Sequence, residues 1–320
     1  MGITMESLAK EIIAGRRLSR ADDLSVFISV PLAMLCAGAN AIREALCPKK
    51  VDLCTIINGR AGRCPENCKF CAQSAHHETS CEEYPLLDAE TVLADCKKRD
   101  AVGVHAYSIV TAGRSVEGEE FDRLVEIYQT LHEHTSMRLC ASHGLLKAED
   151  FRRLKAAGVT MYHCNIETSR RYFPEICTTH TYEDKLKEIR MAKEAGLTVC
   201  SGGIIGMGET IWDRIDMAVS LSELSIQSIP INALMPIKGT PLEDLPRLTE
   251  EEILRCIALF RYLNPTAYIR MAAGRNHFAD GGKQIFLSGA NATITGDMLT
   301  TVGNSTAQDK EMLTALGFEV

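Results

Sequence analysis

The chain has 320 residues, long enough for one hydrophobic core to bury most of its apolar surface without disulfides. Its 46% hydrophobic and 24% charged residues are ordinary for a soluble protein, and its longest apolar run, around Val30 to Ala39, is too short for a membrane span. A net charge of -7 argues against an electrostatic footprint on nucleic acid and towards small-molecule chemistry.

Residues 1–50 are expected to form an N-terminal helical cap, because Glu6 to Gly15 and Leu32 to Leu46 repeat apolar residues at helical period. From there, short apolar or β-branched runs alternate with helical segments, the pattern of repeated βα units. The predicted strands are Val51 to Ile57, Val104 to Thr111, Met137 to Ala141, Thr160 to Ile166, Leu197 to Gly202, Ser228 to Leu234, Ala267 to Ala272, and a weaker one at Ile285 to Leu287 or Ala292 to Ile294. Helices are predicted at Glu119 to His134, Glu149 to Ala157, Tyr182 to Ala195, Ile211 to Leu224 and Glu250 to Leu263, the last opened by a Thr249/Glu252 capping box. Gly158 and Gly196 each stand between a helix and a strand, where a left-handed cap turns the chain back. Eight strands without a linker predict an α/β fold of one (β/α)8 TIM-type barrel over residues 51–320, with a C-terminal extension; an open doubly wound sheet is the alternative.

Thirteen cysteines stand in a chain that begins without a secretory signal, so they are expected to be reduced in the cytoplasm and available for metal ligation. Three of them form Cys64-Pro65-Glu66-Asn67-Cys68-Lys69-Phe70-Cys71, directly after the first predicted strand, at the end of a barrel where this fold keeps its active site. Three thiolates on a cubane leave one iron with an open position that can bind substrate. The competing reading is a zinc knot completed by His76, His77 or Cys81. Polar residues also recur in mid-strand. Alternation puts His163, Asn165 and Glu167 on one face, while Cys54, Cys140, Cys200 and Arg270 lie within the first, third, fifth and seventh strands. Side chains from such strands can meet in one interior layer and hold a second cluster, and a buried guanidinium there must be paired or act as a ligand.

The Cys-x3-Cys-x2-Cys spacing resembles the motif of the radical S-adenosylmethionine superfamily. That likeness implies a [4Fe-4S] cluster on Cys64, Cys68 and Cys71, which cleaves S-adenosylmethionine to a 5′-deoxyadenosyl radical, with Phe70 beside the adenine. A wider set, Asn58 to Ser74, Asn165-Ile166-Glu167-Thr168-Ser169, Val199-Cys200-Ser201-Gly202-Gly203-Ile204, Pro230-Ile231-Asn232, Lys238-Gly239-Thr240-Pro241 and Gly289-Ala290-Asn291, resembles the biotin synthase family. Members insert sulfur into dethiobiotin at C6 and C9, using two radicals per product and an auxiliary iron-sulfur cluster as sulfur donor. The family's usual auxiliary ligands are three cysteines and an arginine, of which Cys140, Cys200 and Arg270 match. The remaining cysteine falls at Ser108, whereas Cys54 stands where many members have serine. The resemblance therefore implies an auxiliary cluster on Cys54, Cys140 and Cys200, as in an anaerobe-associated branch with four irons and an extra sulfide in place of a 2Fe-2S cluster. Arg270 is then either a ligand or a neighbouring cation. The likeness further implies S-adenosylmethionine contacts from Asn165, Glu167, Lys185, Ile204 and Met235, and dethiobiotin contacts from Asn165, Asn232, Thr300 and Thr301. It also implies a flavodoxin or ferredoxin as electron donor and a homodimer. Cys164, Cys36, Cys47, Cys96, Cys177 and Cys256 are expected to pack or face solvent. A related maturase or mutase of the same barrel family and a non-catalytic iron-sulfur or zinc module are the alternative functions.

Overall fold

Nine short parallel strands arrange themselves in the computed structural model as the staves of a closed barrel; the structure describes residues 4–296, 299 and 303–320. The strands are β1 (Asp52–Arg60), β2 (Ala106–Thr111), β3 (Arg138–Ser142), β4 (Val159–His163), β5 (Thr198–Cys200), β6 (Gly203–Ile205), β7 (Ser228–Ala233), β8 (Tyr268–Met271) and β9 (Ala292–Ile294). They run in the order β5-β4-β3-β2-β1-β9-β8-β7-β6, and Cys200 of β5 pairs with Ser228 of β7 to close the ring. β5 and β6 are two pieces of one stave, so the barrel has the predicted eight positions.

Twelve helices are assigned among the described residues: α1 (Met5–Ile13), α2 (Val26–Ser29), α3 (Leu32–Leu46), α4 (Ala89–Ala101), α5 (Gly118–His134), α6 (Ala148–Ala156), α7 (Phe173–Ile176), α8 (Tyr182–Glu194), α9 (Ile211–Glu223), α10 (Glu250–Leu263), α11 (Lys283–Leu287) and α12 (Thr306–Ala315). The main barrel helices present one apolar face inward, as Phe121, Leu124, Tyr128 and Leu131 do in α5. The Thr249/Glu252 capping box at α10 forms as predicted, with the Thr249 amide donating to Glu252 Oε2 at 2.8 Å. Gly158 and Gly196 take the left-handed conformation expected of them, at φ 94° and 78°. No described helix is long and apolar enough to cross a membrane.

The N-terminal helices share the barrel's core, through Met5, Leu8, Phe27, Leu35 and Ile42. They lie against α10, where the Tyr262 hydroxyl donates to Met5 O at 3.0 Å and Arg255 Nη1 donates to Val30 O at 2.9 Å. Next to Tyr262 on the same helix, Arg261 is wholly buried and pushed down to about 10 by that burial. Its guanidinium donates to the carbonyls of Gly289, Asn264, Pro265 and Ala267 and to Asn291 Oδ1. Asn291 Oδ1 also accepts from the Ile269 amide, so the Gly289-Ala290-Asn291 motif serves to fasten β8 and β9 to α10.

The weaker eighth strand is Ala292–Ile294; its alternative, Ile285 to Leu287, belongs to α11, which begins after the left-handed pair Gly281 and Gly282. The fifth predicted strand is interrupted at Ser201 and Gly202. There the backbone shifts partners: the Ser201 amide donates to Ser228 O and the Ile204 amide to Glu167 O at 2.8 Å. Gly203 faces Glu167 O so closely that a Cβ would overlap it and Met217 Sδ. Gly203→Ala is therefore expected to cost about 1–3 kcal/mol through forced displacement, seen as a lower urea midpoint at unchanged slope.

Candidate active site

β1 delivers the cysteine loop to the C-terminal mouth of the barrel, and Gln73 ties the loop back to the strand. The Cys64 amide donates to Gln73 O at 2.9 Å, while Gln73 Oε1 accepts from the Gly62 amide and Asn58 Nδ2. Cys64, Cys68 and Cys71 are all partly accessible on this loop. Burial pushes the Cys71 thiol up to about 11. His76 Nε2 donates to Pro65 O and His77 Nδ1 to Cys71 O, so neither imidazole completes a zinc knot through those nitrogens. Cys81 Sγ turns to Glu82 O.

Below the mouth lies a cavity of about 340 Å³ inside the barrel. Phe70, Cys71, Ile204 and Met235 line its upper part, with Asn165, Glu167 and Asn232 supplying polar groups. Asn165 Oδ1 accepts from the Gly202 amide at 3.0 Å and its Nδ2 donates to Glu167 Oε2 at 3.3 Å. Asn232 Nδ2 donates to Gly203 O and its Oδ1 accepts from the Ala273 amide. A primary amide has two donors and two lone pairs, so both side chains are oriented by these bonds and retain capacity for a ligand. Glu167 sits beyond the end of β4 at φ 66°, a left-handed conformation that costs a non-glycine residue energy and aims its side chain inward. Burial raises the Glu167 carboxyl, and Lys185 opposes the rise.

Lys185 is not on the cavity wall. Its Nζ lies 3.9 Å from Glu188 Oε2, behind the β4 end, and Cys164 Sγ donates to the same oxygen at 2.6 Å. Burial disfavours the ammonium, but Cys164, Glu188 and Glu167 outweigh it and raise its pKa. Cys164 thus packs away from Asn165, as alternation predicts, yet it is also bonded to a buried carboxylate.

Deeper in the same cavity, Cys54, Cys140 and Cys200 come together from β1, β3 and β5, beside Ala106 and Met161. Register explains it: Cys54 pairs with Ala106, while Ser108 pairs with Ile56 and Cys140. Ser108 faces the cavity at the β2 position, one inward step above the level of Cys54. The Cys140 contact lowers Cys54, while the Cys54 contact, with burial, raises Cys140. Burial pushes Cys200 up to about 11, against the pull of Arg270 and a 3.3 Å contact with Ser228 Oγ. Three thiols of this kind, enclosed and with no disulfide, are a fitting donor set for a thiophilic cluster.

Arg270 lies beside them and is already engaged. Its Nη2 is ion-paired with Asp52 Oδ2, and its Nη1 donates to Thr293 O at 2.8 Å and Asp52 O at 3.1 Å. Asp52 Oδ1 is also paired with Arg138. Although burial pushes the Asp52 carboxyl up, Arg270 and Arg138 hold it below the usual carboxylate range. Neither Asp52 nor Arg138 stood out in the sequence, since ordinary charges on strand ends carry no motif.

Cys177 departs from the expected role of simple packing. It is buried beside the cysteine loop, with Sγ 3.6 Å from Cys68 Sγ and 3.3 Å from His180 Nδ1. Cys68 donates to it, which raises Cys68; that bond, then His180 and Thr179, bring Cys177 down to about 3 against the effect of burial. Thr300 and Thr301 lie outside the described residues.

A parallel eight-stave barrel with a three-cysteine loop at its mouth and, beneath it, a mainly apolar cavity that holds three further thiols defines a radical S-adenosylmethionine enzyme. Residues 60–221 match the Radical SAM superfamily and residues 230–319 the Biotin and Thiamin Synthesis associated domain. Sequence comparison finds the biotin synthase of Clostridium beijerinckii 65% identical over 316 residues, covering 99% of this chain and 100% of that protein, and that of Alkaliphilus metalliredigens 59% identical over 99% of each. The chain belongs to the biotin synthase family. The crystal structure of methylornithine synthase (PylB) superposes with a TM-score of 0.85 at 21% identity, over 98% of this chain and 97% of that one. The hydrogenase maturase HydG superposes at 0.82 and 15% identity, over 98% and 74%. These two likenesses show the barrel alone.

Proposed function

We propose that this chain forms the thiolane ring of biotin by inserting sulfur at C6 and C9 of dethiobiotin, with sulfur drawn from an auxiliary four-iron cluster that carries an extra sulfide. The observation that carries the reading is the convergence of Cys54, Cys140 and Cys200 in the same cavity that opens onto Cys71. When bound, the two clusters and S-adenosylmethionine supply a carbon radical and sulfur, chemistry beyond any acid or base side chain.

The protein's part is to bind, orient and exclude water. Cys64, Cys68 and Cys71 hold the upper cluster and leave one metal position for the methionine end of the cofactor. Phe70, Ile204 and Met235 provide apolar wall for its adenosyl part, and Glu167 offers a carboxylate to the ribose. Asn165 and Asn232, fixed by their backbone bonds, turn their remaining amide valences to the dethiobiotin ring. Thr300 and Thr301 are assigned to the substrate carboxylate by family resemblance. Cys54, Cys140 and Cys200 hold the auxiliary cluster. The Arg270 guanidinium is already committed to Asp52 and to the Thr293 carbonyl, which supports its role as a cation beside the cluster over one as an iron ligand. Flavodoxin or ferredoxin as electron donor and a homodimer as the working assembly belong to the same reading and rest on resemblance.

By resemblance Lys185 receives the methionine carboxylate in this scheme; although it does not line the cavity, it is close enough to Glu167 and to Cys68 of the cysteine loop for both to act on its charge. Lys185→Met is expected to raise the KM for S-adenosylmethionine about 30-fold, equivalent to about 2 kcal/mol, with iron content unchanged; an unaltered KM removes Lys185 from the site. The function itself is tested by supplying anaerobically reconstituted, reduced protein with S-adenosylmethionine and dethiobiotin. Biotin and 5′-deoxyadenosine are the expected products. If no 5′-deoxyadenosine forms, the reading fails.

A further inference from the structure

The loop that carries Cys68 is docked on the segment after α7 by bonds that owe nothing to a ligand. The Lys69 amide donates to Ile176 O at 2.9 Å, the Asn67 amide to Thr179 Oγ1 at 3.1 Å, and Asn67 Oδ1 accepts from the Thr178 amide at 3.0 Å. This docking brings together three ligand atoms, one each from Cys68, Cys177 and His180, all within 4.8 Å of one another. Cys177 and His180 are buried, and they follow a Cys-x2-His spacing. Glu66, also buried, bonds His180 Nδ1 through Oε2, while Arg114 fixes its other oxygen at 2.9 Å. A carboxylate behind an imidazole is the arrangement that orients a histidine for a metal, here leaving Nε2 as the ligand atom.

We propose that Cys68, Cys177 and His180 form a second metal site, which takes one thiophilic divalent cation of the zinc class when the upper cluster is absent. Two thiolates and an imidazole suit such an ion, with a water in the fourth position of a tetrahedron. Because Cys68 belongs to both sites, the ion and the cluster exclude one another. The site therefore holds the cluster-free loop in its docked form and keeps Cys68 out of reach of oxidants until iron and sulfide arrive. The proposal rests on the assignment of Cys68 to the cluster only for this exclusion, not for the ion site itself.

The test uses full-length, iron-free chain under anaerobic conditions, with Co2+ as the spectroscopic probe and Zn2+ as competitor. A C64A/C71A variant cannot build the upper cluster but keeps the three ligands. It is expected to bind Co2+ with thiolate charge-transfer and tetrahedral ligand-field bands that Zn2+ abolishes. Adding C177A or H180A should remove that component, whereas adding E66Q should weaken it by roughly 10- to 100-fold. In the otherwise natural chain, C177A should still take up the full complement of iron, and Zn2+ should delay cluster assembly in the natural chain but not in C177A. Co2+ binding by C64A/C71A that C177A leaves unchanged overturns the proposal. So does a C177A chain that loses its cluster iron, since Cys177 would then belong to the cluster site.

Discussion

Replacing Cys54 with alanine is expected to abolish biotin formation while 5′-deoxyadenosine production from S-adenosylmethionine continues. The separation follows from where the thiols stand. Cys54 lies within β1, against Cys140 and far down the cavity from the loop after that strand, so its removal leaves Cys64, Cys68 and Cys71 untouched. Two thiols and a guanidinium committed to Asp52 are too few ligands to retain a cluster. Iron and sulfide analysis should show loss of about half the iron if both clusters are four-iron, with the remaining spectrum still responding to S-adenosylmethionine. Restoring a cysteine at the β2 position, as C54A/S108C, checks the relocation from the other side: Ser108 already faces the cavity beside Cys140. If C54A keeps full iron and turns over, Cys54 is not a ligand.

Asp52→Ala should be the most destabilising of the charge changes, at about 3–5 kcal/mol. The carboxylate is buried between Arg270 and Arg138, and Arg270 is itself almost wholly enclosed, so the substitution strands a guanidinium without its counter-ion. Urea unfolding of cluster-free protein measures it apart from metal content. Since the folded-state pKa of Asp52 is depressed, its contribution is complete above the ordinary carboxylate pKa and is lost as pH falls through the lower, folded value. The gap between the natural and D52A proteins should thus persist from neutrality to about pH 4 and narrow only in stronger acid. A difference below about 1 kcal/mol would mean that the pair behaves like a surface salt bridge.

The barrel was legible because each stave and helix carries its own period. α10 and α3 have the bounds their patterns predict, and the break between β5 and β6 became visible only when two neighbours, Glu167 and Pro230, were seen pressing on Gly203 and Gly202. α4 was missed for a physical reason: only Val92 and Cys96 of its thirteen residues are buried, which leaves almost no apolar stripe. α12 likewise buries Met312 and Leu313 with Asp309, whose charge masks the face. Among the site residues, the cysteine loop announced itself by spacing, and alternation placed His163, Asn165 and Glu167 on the cavity side. The partners of those groups did not. Asp52 and Arg270 are 218 positions apart, and Glu66 and His180 are 114, so nothing local links them. Cys177 looked like one more packed thiol until folding placed it on Cys68.

The ion pairs centred on Asp52 lie at the opposite end of the staves from the cysteine loop. The cavity reaches down to them, since Asp52, Arg138 and Arg270 line it together with Cys71. The floor of the barrel therefore sets two guanidinium groups against one carboxylate, an excess of positive charge that favours an anionic occupant above it.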